Sequence, residues 1–148
     1  MYRKILVAHD GSPESALALD ECIRLAPGPD TAIHLAGVVH DPSLYVLAGE
    51  YVPEIALGDD EARVDADIRD AAARLSAHGL AVTSHVVIGE PVTVIARLVE
   101  ELGIDLLILG HPRNQTFAQR WWRGSTDALL LDRVCCSILV AAEPPRDA

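Results

Sequence analysis

Apolar residues recur along the chain in two alternating rhythms. Five short runs are rich in them: Lys4 to Ala8 (KILVA), Ala32 to Val39, Val82 to Ile88, Asp105 to Leu109 (DLLIL) and Ser137 to Ala141 (SILVA). Runs of this length predict strands of a parallel sheet covered on both faces. In the third run Thr83 and His85 alternate with Val82, Ser84 and Val86. Between the runs, apolar positions recur at helical spacing: Ala16, Leu19, Ile23 and Ala26; Val64, Ile68, Ala71, Ala72 and Leu75; Val92, Ile95, Ala96, Val99 and Leu102; Leu129, Leu130 and Val134. Each set marks one face of an amphipathic helix.

The punctuation agrees with these two rhythms. Ser12 can cap the first helix, and Pro13 stands at its first position, where a missing N–H costs nothing. Pro27-Gly28-Pro29 predicts its end. Asp41 to Gly58, holding Tyr45 and Tyr51, reads as a long irregular stretch. Asp59-Asp60-Glu61 predicts the next helix start, because the macrodipole favours negative charge there. Gly79 and Gly103 predict helix stops, and Gly89-Glu90-Pro91 a strand-to-helix turn. Gly110 to Arg123 is polar, basic and irregular, and Gly124-Ser125-Thr126 opens the last helix. The resulting order β-α-β-α-β-α-β-α-β predicts an α/β fold: a three-layer, doubly wound, five-stranded parallel sheet with right-handed crossovers. Residues 1–142 make a single domain, and residues 143–148 are expected to fray.

Composition narrows the function. The chain has 148 residues, half of them hydrophobic and 23% charged, which suits one domain with a buried core. Its net charge is −10, from 22 acidic and 12 basic residues, which argues against nucleic acid and anionic membrane surfaces as partners. No apolar run reaches the roughly 18 residues of a membrane span. The N-terminus enters a strand without the apolar region of a signal peptide, so a cytoplasmic location is expected. Three cysteines, with Cys135 and Cys136 adjacent, do not make a disulfide framework. Free thiols shielded by burial are expected. The six histidines show no metal-ligand spacing.

In a doubly wound sheet, ligands bind beyond the carboxyl ends of the strands, where the strand order reverses. The candidate positions are therefore Ala8-His9-Asp10-Gly11, Val38-Val39-His40, Ile88-Gly89-Glu90 and Leu109-Gly110-His111, with the first and fourth strands as neighbours at the reversal. Gly110 lets a ligand approach the backbone closely. Gly124-Ser125-Thr126 at a helix start offers free N–H groups and the positive end of the dipole, an anion site, although such triplets often serve only as caps. Arg113, Arg120 and Arg123 bring positive charge to the same segment. Signs of catalysis are thin. Consecutive residues His9 and Asp10 point to opposite faces, Ser12 and Ser125 have no base nearby in sequence, and one pairing of His111 with Asp10 across the strand ends stays open. Trp121-Trp122 either covers a ligand, anchors a partner or packs on the last helix. Asp59 to Asp70, with six acidic residues and two Arg, reads as a solvated helix face.

Three separated blocks, KILVAHDGSPES, GEPVTVIARLVEELGIDLLILGH and GSTDALLLDRVCCSILVA, agree in order and spacing with the universal stress protein family. The resemblance covers nearly the whole chain and places Cys136 on the family's cysteine. It implies a Rossmann-like fold of the nucleotide-binding α hydrolase-like kind. It also implies a regulatory stress-response module that binds ATP or AMP, with or without Mg²⁺, and is not a metabolic enzyme. ATP-binding members resemble Gly-x2-Gly-x9-Gly-Ser/Thr after the fourth strand. Here Gly110 and Gly124-Ser125 match, Arg113 replaces the middle glycine, and ten residues lie between Arg113 and Gly124. The loop therefore bulges, or Arg113 is itself a phosphate ligand, or the nucleotide has been lost. By resemblance Asp10 lies near the ribose, Val38 meets the adenine through its backbone, and Ala8 and His9 line the base pocket. Gly110, Gly124, Ser125 and Thr126 hold the phosphates. The competing class is a nucleotide-independent interaction protein of the same fold with an unidentified protein partner; a weak ATPase ranks third. Family members look like homodimers joined through the last strand, so Ser137 to Ala141 is the expected dimer edge.

Overall fold

The computed structural model describes residues 1–11, 13–40, 54–111 and 129–142. The elements are β1 (Lys4–Ala8), α1 (Pro13–Arg24), β2 (Ala32–His40), α2 (Glu54–Ala77), β3 (Ala81–Gly89), α3 (Pro91–Leu102), β4 (Leu106–His111), α4 (Leu129–Arg133) and β5 (Ser137–Ala142). All strands are parallel, in the order β3-β2-β1-β4-β5. The chain winds outward from β1 to β3, then crosses back to β4 on the other side. The order thus reverses between β1 and β4, as the strand-end glycines predict.

Alternate residues of each strand feed two cores. Ile5, Val7, Ile33, Leu35, Val39, Leu106 and Ile108 lie beneath α1 and α2, which contribute Ala18, Leu19, Cys22, Val64, Ile68, Ala71 and Leu75. Leu6, Ala8, Ala36, Leu107 and Leu109 lie beneath α3 and α4 with Val92, Val94, Ile95, Leu98, Val99, Ile104 and Leu130. The centre of β1 is shut off from water on both sides, since Leu6 and Val7 have no exposed surface. Each such side chain contributes about 1.5–3 kcal/mol by burial. Gly37 lets α2 sit directly on β2. A Cβ there would lie 2.6 Å from Ile68 Cγ1 and 2.9 Å from Val64 Cγ1.

The amino end of the sheet is tied by Asp105, whose carboxylate accepts from the Arg3 and Lys4 amides at 2.8 and 2.9 Å. Lys4 Nζ donates to the Leu102 carbonyl at 3.0 Å, closing the end of α3 against β1. At the other end of α3, Glu90 is the N-cap, accepting from the Val92 and Thr93 amides, and Pro91 follows at the first turn. Gly103 closes α3 in the left-handed conformation at φ 67°.

Two boundaries differ from the sequence reading. The last residue of α1 is Arg24, short of Pro27, and Ala26 lies outside the helix at φ 48°. Its buried face runs through Ser15, Ala18, Leu19 and Cys22, not through Ala16 and Ala26. Apart from Leu19 that face is made of small residues, which are easily overlooked in an apolar count. α2 begins at Glu54, so Asp59-Asp60-Glu61 lie inside it, and residues 54–58 are helical where irregular chain was expected. Residues 41–53 lie outside the described residues. No disulfide joins the three cysteines, but burial shields them unequally: Cys22 is buried, Cys136 is half-buried and Cys135 is exposed. Among the described residues no helix is long and apolar enough to cross a membrane.

Candidate functional site

The carboxyl ends of β1, β2 and β4 meet at one edge of the sheet. The register brings Ala8 beside Ala36, Ile108 beside Val7 and Gly110 beside Ala141. Ala8 is buried, and it shares the α3 face with Val38, which is half-buried. Together they offer a small apolar floor. Gly110, half-buried at the end of β4, presents backbone and no side chain. Asp10 follows β1 directly and stands at the opening of the turn into α1.

His9 goes to the opposite face from Ala8. Its amide donates to the Ala36 carbonyl at 2.9 Å, continuing the ladder one residue past β1. Its ring is 7% exposed and is hydrogen-bonded to the backbone of Ser15 in α1. Burial pulls its pKa below the ordinary imidazole value. The Ser15 contact and the charges of Asp10 and Asp67 oppose that pull, and Arg74 adds to it. The ring is neutral at pH 7, and Nδ1 has no hydrogen-bond partner among the described residues. The sequence reading put Ala8 and His9 in one pocket; the fold puts their side chains on two sides of the sheet.

The turn carrying Asp10 is held from α2, which the sequence did not reveal. Gly11 has φ 80°, and a Cβ added there would lie 2.7 Å from Asp67 Cγ. The Asp67 carboxylate is therefore packed against the backbone of the turn. Arg63, one helical turn earlier, is ion-paired with Asp60, lies 3.9 Å from Asp67 and senses the charge of Asp10. Its pKa is raised, first by the Asp60 hydrogen bond and then by these carboxylates. Arg74 pairs with Asp20 across α2 and α1. Residues 59–70 are thus only partly a solvated face: Arg69–Asp65 at 3.1 Å is on it, while Asp67 faces the turn. The spacing of Arg63 and Asp67 at i and i+4 was the available signal.

The neighbouring strand end is already closed. Glu90 accepts from the Val92 and Thr93 amides at 3.1 and 2.8 Å and from Thr93 Oγ1 at 2.7 Å. Arg133 Nη1 donates to the same Thr93 oxygen at 3.2 Å and links α4 to the start of α3. Burial would raise the Glu90 pKa, but these hydrogen bonds and Arg133 outweigh it and the net shift is downward. A carboxylate thus already accepts from the free amides at the amino end of α3.

Of the expected site residues, Ala8, His9, Asp10, Val38 and Gly110 are described; Arg113, Gly124, Ser125 and Thr126 lie outside the described residues, as do Trp121, Trp122 and the side chain of His111. The family model described as the universal stress protein family matches residues 1–142. Among solved structures, the chain is similar to hypothetical protein MJ0577 at 20% identity, TM-score 0.78, covering 99% of each chain. It is similar to a universal stress protein in complex with cAMP at 25% identity, TM-score 0.66, covering 95% of this chain and 97% of that one. It is also similar to a universal stress protein family protein from Arabidopsis thaliana with AMP bound, at 14% identity, TM-score 0.66, covering 96% and 92%. No curated protein matches the chain.

Proposed function

The chain belongs to the universal stress protein family, and on that premise we propose that it binds an adenine nucleotide, ATP or AMP, at the carboxyl ends of β1, β2 and β4. In this reading it acts as a cytoplasmic, regulatory stress-response module. One observation carries the proposal: Ala8 and Val38 share a face at the sheet's point of reversal, with Asp10 and Gly110 at the same edge. The residues fit the parts of a nucleoside. An apolar floor suits the base, a carboxylate suits the ribose hydroxyls, and a glycine admits close approach to the backbone. The described rim is acidic, through Asp10, Asp60 and Asp67 with Arg63 among them. Phosphates therefore need cationic or N–H partners other than these, and the sequence supplies them in Arg113 and Gly124-Ser125-Thr126. Two similar structures carry AMP and cAMP, which supports an adenine ligand.

A binding role fits better than catalysis. His9, which stands between Ala8 and Asp10 in sequence, is neutral, buried and on the α1–α2 face, away from a ligand seated on Ala8 and Val38. Titration calorimetry with ATP, AMP and adenosine, with and without Mg²⁺, tests the proposal. If Arg113 contacts phosphate, Arg113→Ala weakens ATP by roughly 10- to 150-fold, the worth of one charge-assisted hydrogen bond of about 1.5–3 kcal/mol. Adenosine affinity stays unchanged. Absence of binding by wild type at millimolar ATP and AMP refutes the proposal. It would favour the second reading, a nucleotide-independent interaction protein, which rests on Arg113 standing at the glycine position and on the longer loop.

The dimer belongs to the same proposal. β5 has β4 on one side, and its Val140 is 42% exposed. An apolar edge without charge pairs readily with another chain. A second copy docking along Ser137 to Ala141 is the expected occupant. Light scattering should find a dimer for wild type and a monomer for Ile138→Lys; a monomeric wild type at high micromolar concentration overturns this.

A further inference from the structure

His34 and His85 stand apart from the site above. His34 is on β2 and His85 on the edge strand β3, on the sheet face that α3 covers. His85 pairs with Ala36 in register, so the two histidines are diagonal neighbours. His34 Nδ1 and His85 Nε2 are 2.9 Å apart, the ring centroids 5.2 Å apart, and the planes tilted by 31°. Both rings are half-buried, so solvent reaches them. Burial lowers both pKa values, and for His34 the charges of His85 and Lys4 lower it further. At neutral pH the pair is therefore uncharged, the form in which imidazole ligates metals.

We propose that His34 and His85 form a two-imidazole site for a divalent transition metal of tetragonal preference, Cu²⁺ foremost and Ni²⁺ after it. The separation selects the geometry. With metal–nitrogen bonds of about 2.0–2.1 Å, nitrogens 2.9 Å apart subtend about 90° at the metal, whereas tetrahedral coordination needs about 3.3 Å. Right-angled nitrogen pairs suit square-planar and tetragonal Cu²⁺ or Ni²⁺ better than tetrahedral Zn²⁺.

Without metal, one N–H lies between the two rings. On loading, that proton moves to the outer nitrogen of the same imidazole, a change of tautomer with no net loss of charge. Both inner nitrogens then carry lone pairs, and each ring turns by roughly 45° from the N···N line to make them converge on the ion. Water fills the remaining positions from the open β3 edge. Among the described residues no cluster of three or more His, Cys, Asp or Glu suits a metal ion, so this is an exchangeable two-ligand site. Lys4 is the nearby cation that His34 senses, and its Nζ is held by the Leu102 carbonyl at 3.0 Å. That charge disfavours weakly held ions and leaves copper, at the top of the affinity order, as the best occupant.

The test uses the full chain, treated with chelator, in a Cys135→Ser background that removes the exposed thiol. Cu²⁺ alone is titrated by calorimetry and followed by electron paramagnetic resonance. One equivalent should bind with the hyperfine pattern of two nitrogens. His85→Gln should lower the affinity at least about 100-fold, since even outer-shell partners are worth roughly 10–100-fold, and should leave one nitrogen. His78→Gln, at an exposed position just after α2, should change neither. Unchanged affinity in His85→Gln, or a two-nitrogen pattern in the His34→Gln/His85→Gln double variant, overturns the proposal. Proton NMR of the unsubstituted histidines gives an answer independent of the variants. Substoichiometric Cu²⁺ should broaden the ring signals of His34 and His85 before the other four, and uniform broadening of all six overturns the assignment.

Discussion

Gly37→Ala puts the seating of α2 on β2 to a quantitative test. The added methyl would meet Ile68 Cγ1 at 2.6 Å and Ile68 Cδ1 and Val64 Cγ1 at 2.9 Å. Carbon atoms prefer about 3.5–4.0 Å, so the methyl enters space already filled by two side chains, and the helix or its rotamers must yield by about 1 Å. Overpacking of this kind costs about 1–3 kcal/mol, and loss of glycine from the unfolded chain returns about 0.4–1 kcal/mol. The net expectation is about 1–2 kcal/mol, or roughly 2–8 °C in Tm for a chain of this length. Urea denaturation followed by circular dichroism measures it, with the second variant Ile68→Ala completing a double-mutant cycle. Ile68→Ala alone should cost about 2–5 kcal/mol, because it opens a cavity in the core. In that background Gly37→Ala should cost clearly less, since its methyl enters volume that Ile68 has vacated and only the contact with Val64 Cγ1 remains. Equal losses from Gly37→Ala in both backgrounds would refute the close-approach account.

Three further outcomes are expected. Glu90→Ala should lower stability by about 1 kcal/mol at pH 7 through loss of the α3 cap. The folded pKa of Glu90 lies below its ordinary value of 4.5, so the cap's contribution is present above that value and fades as pH falls through the lowered one; denaturation curves whose variant-to-wild-type gap stays constant from pH 7 down to strong acid would contradict it. In the native protein Cys135 should react first with a thiol reagent and Cys22 last, because Cys22 has no exposed surface and burial pushes its pKa up to about 11; equal labelling rates would contradict the packing of α1. Gly11→Ala should destabilise by about 1–2 kcal/mol through its left-handed conformation and displace Asp67 as well; an unchanged midpoint would show that the turn is not clasped by α2.

The architecture was legible because β1 and β4 are short apolar runs ended by glycine or Asp-Gly, and Val64, Ile68, Ala71 and Leu75 keep a helical period. The start of α2 was not. Asp59-Asp60-Glu61 carries the charge signature of a first turn, and Gly58 breaks the apolar rhythm, although residues 54–58 are helical. Pro53, just before Glu54, was the competing signal. The strand-end residues could be ranked from topology rules alone. Asp67 could not, because its contact with Gly11 spans 56 positions and depends on how α2 crosses the turn. His34 and His85 meet for a similar reason. They lie 51 positions apart, and their meeting follows from the β2–β3 register, which a period of two leaves undetermined by one sequence. His9 shows a different case, in which strand alternation turns it away from Ala8, the residue that family resemblance grouped with it.

The strand order also has a meaning in time. β1 is the central strand, paired on one side by β2 and on the other by β4. As the chain leaves the ribosome, β2 is complete at His40, but β4 is complete only at His111. At roughly 5–20 residues per second, the apolar flank KILVA waits about 4–14 s for its second neighbour. During that interval β1 and β2, joined by β3 once Gly89 has emerged, carry an open margin that is apolar from Ile5 to Ala8, a template for unintended pairing. The carboxylate of Asp105 sits immediately before the rescuing strand and takes hold of the Arg3 and Lys4 amides. In synthesis it is the first anchor point at which β4 can settle beside β1, so a chain lacking it should be more dependent on chaperones than its folded stability alone would suggest.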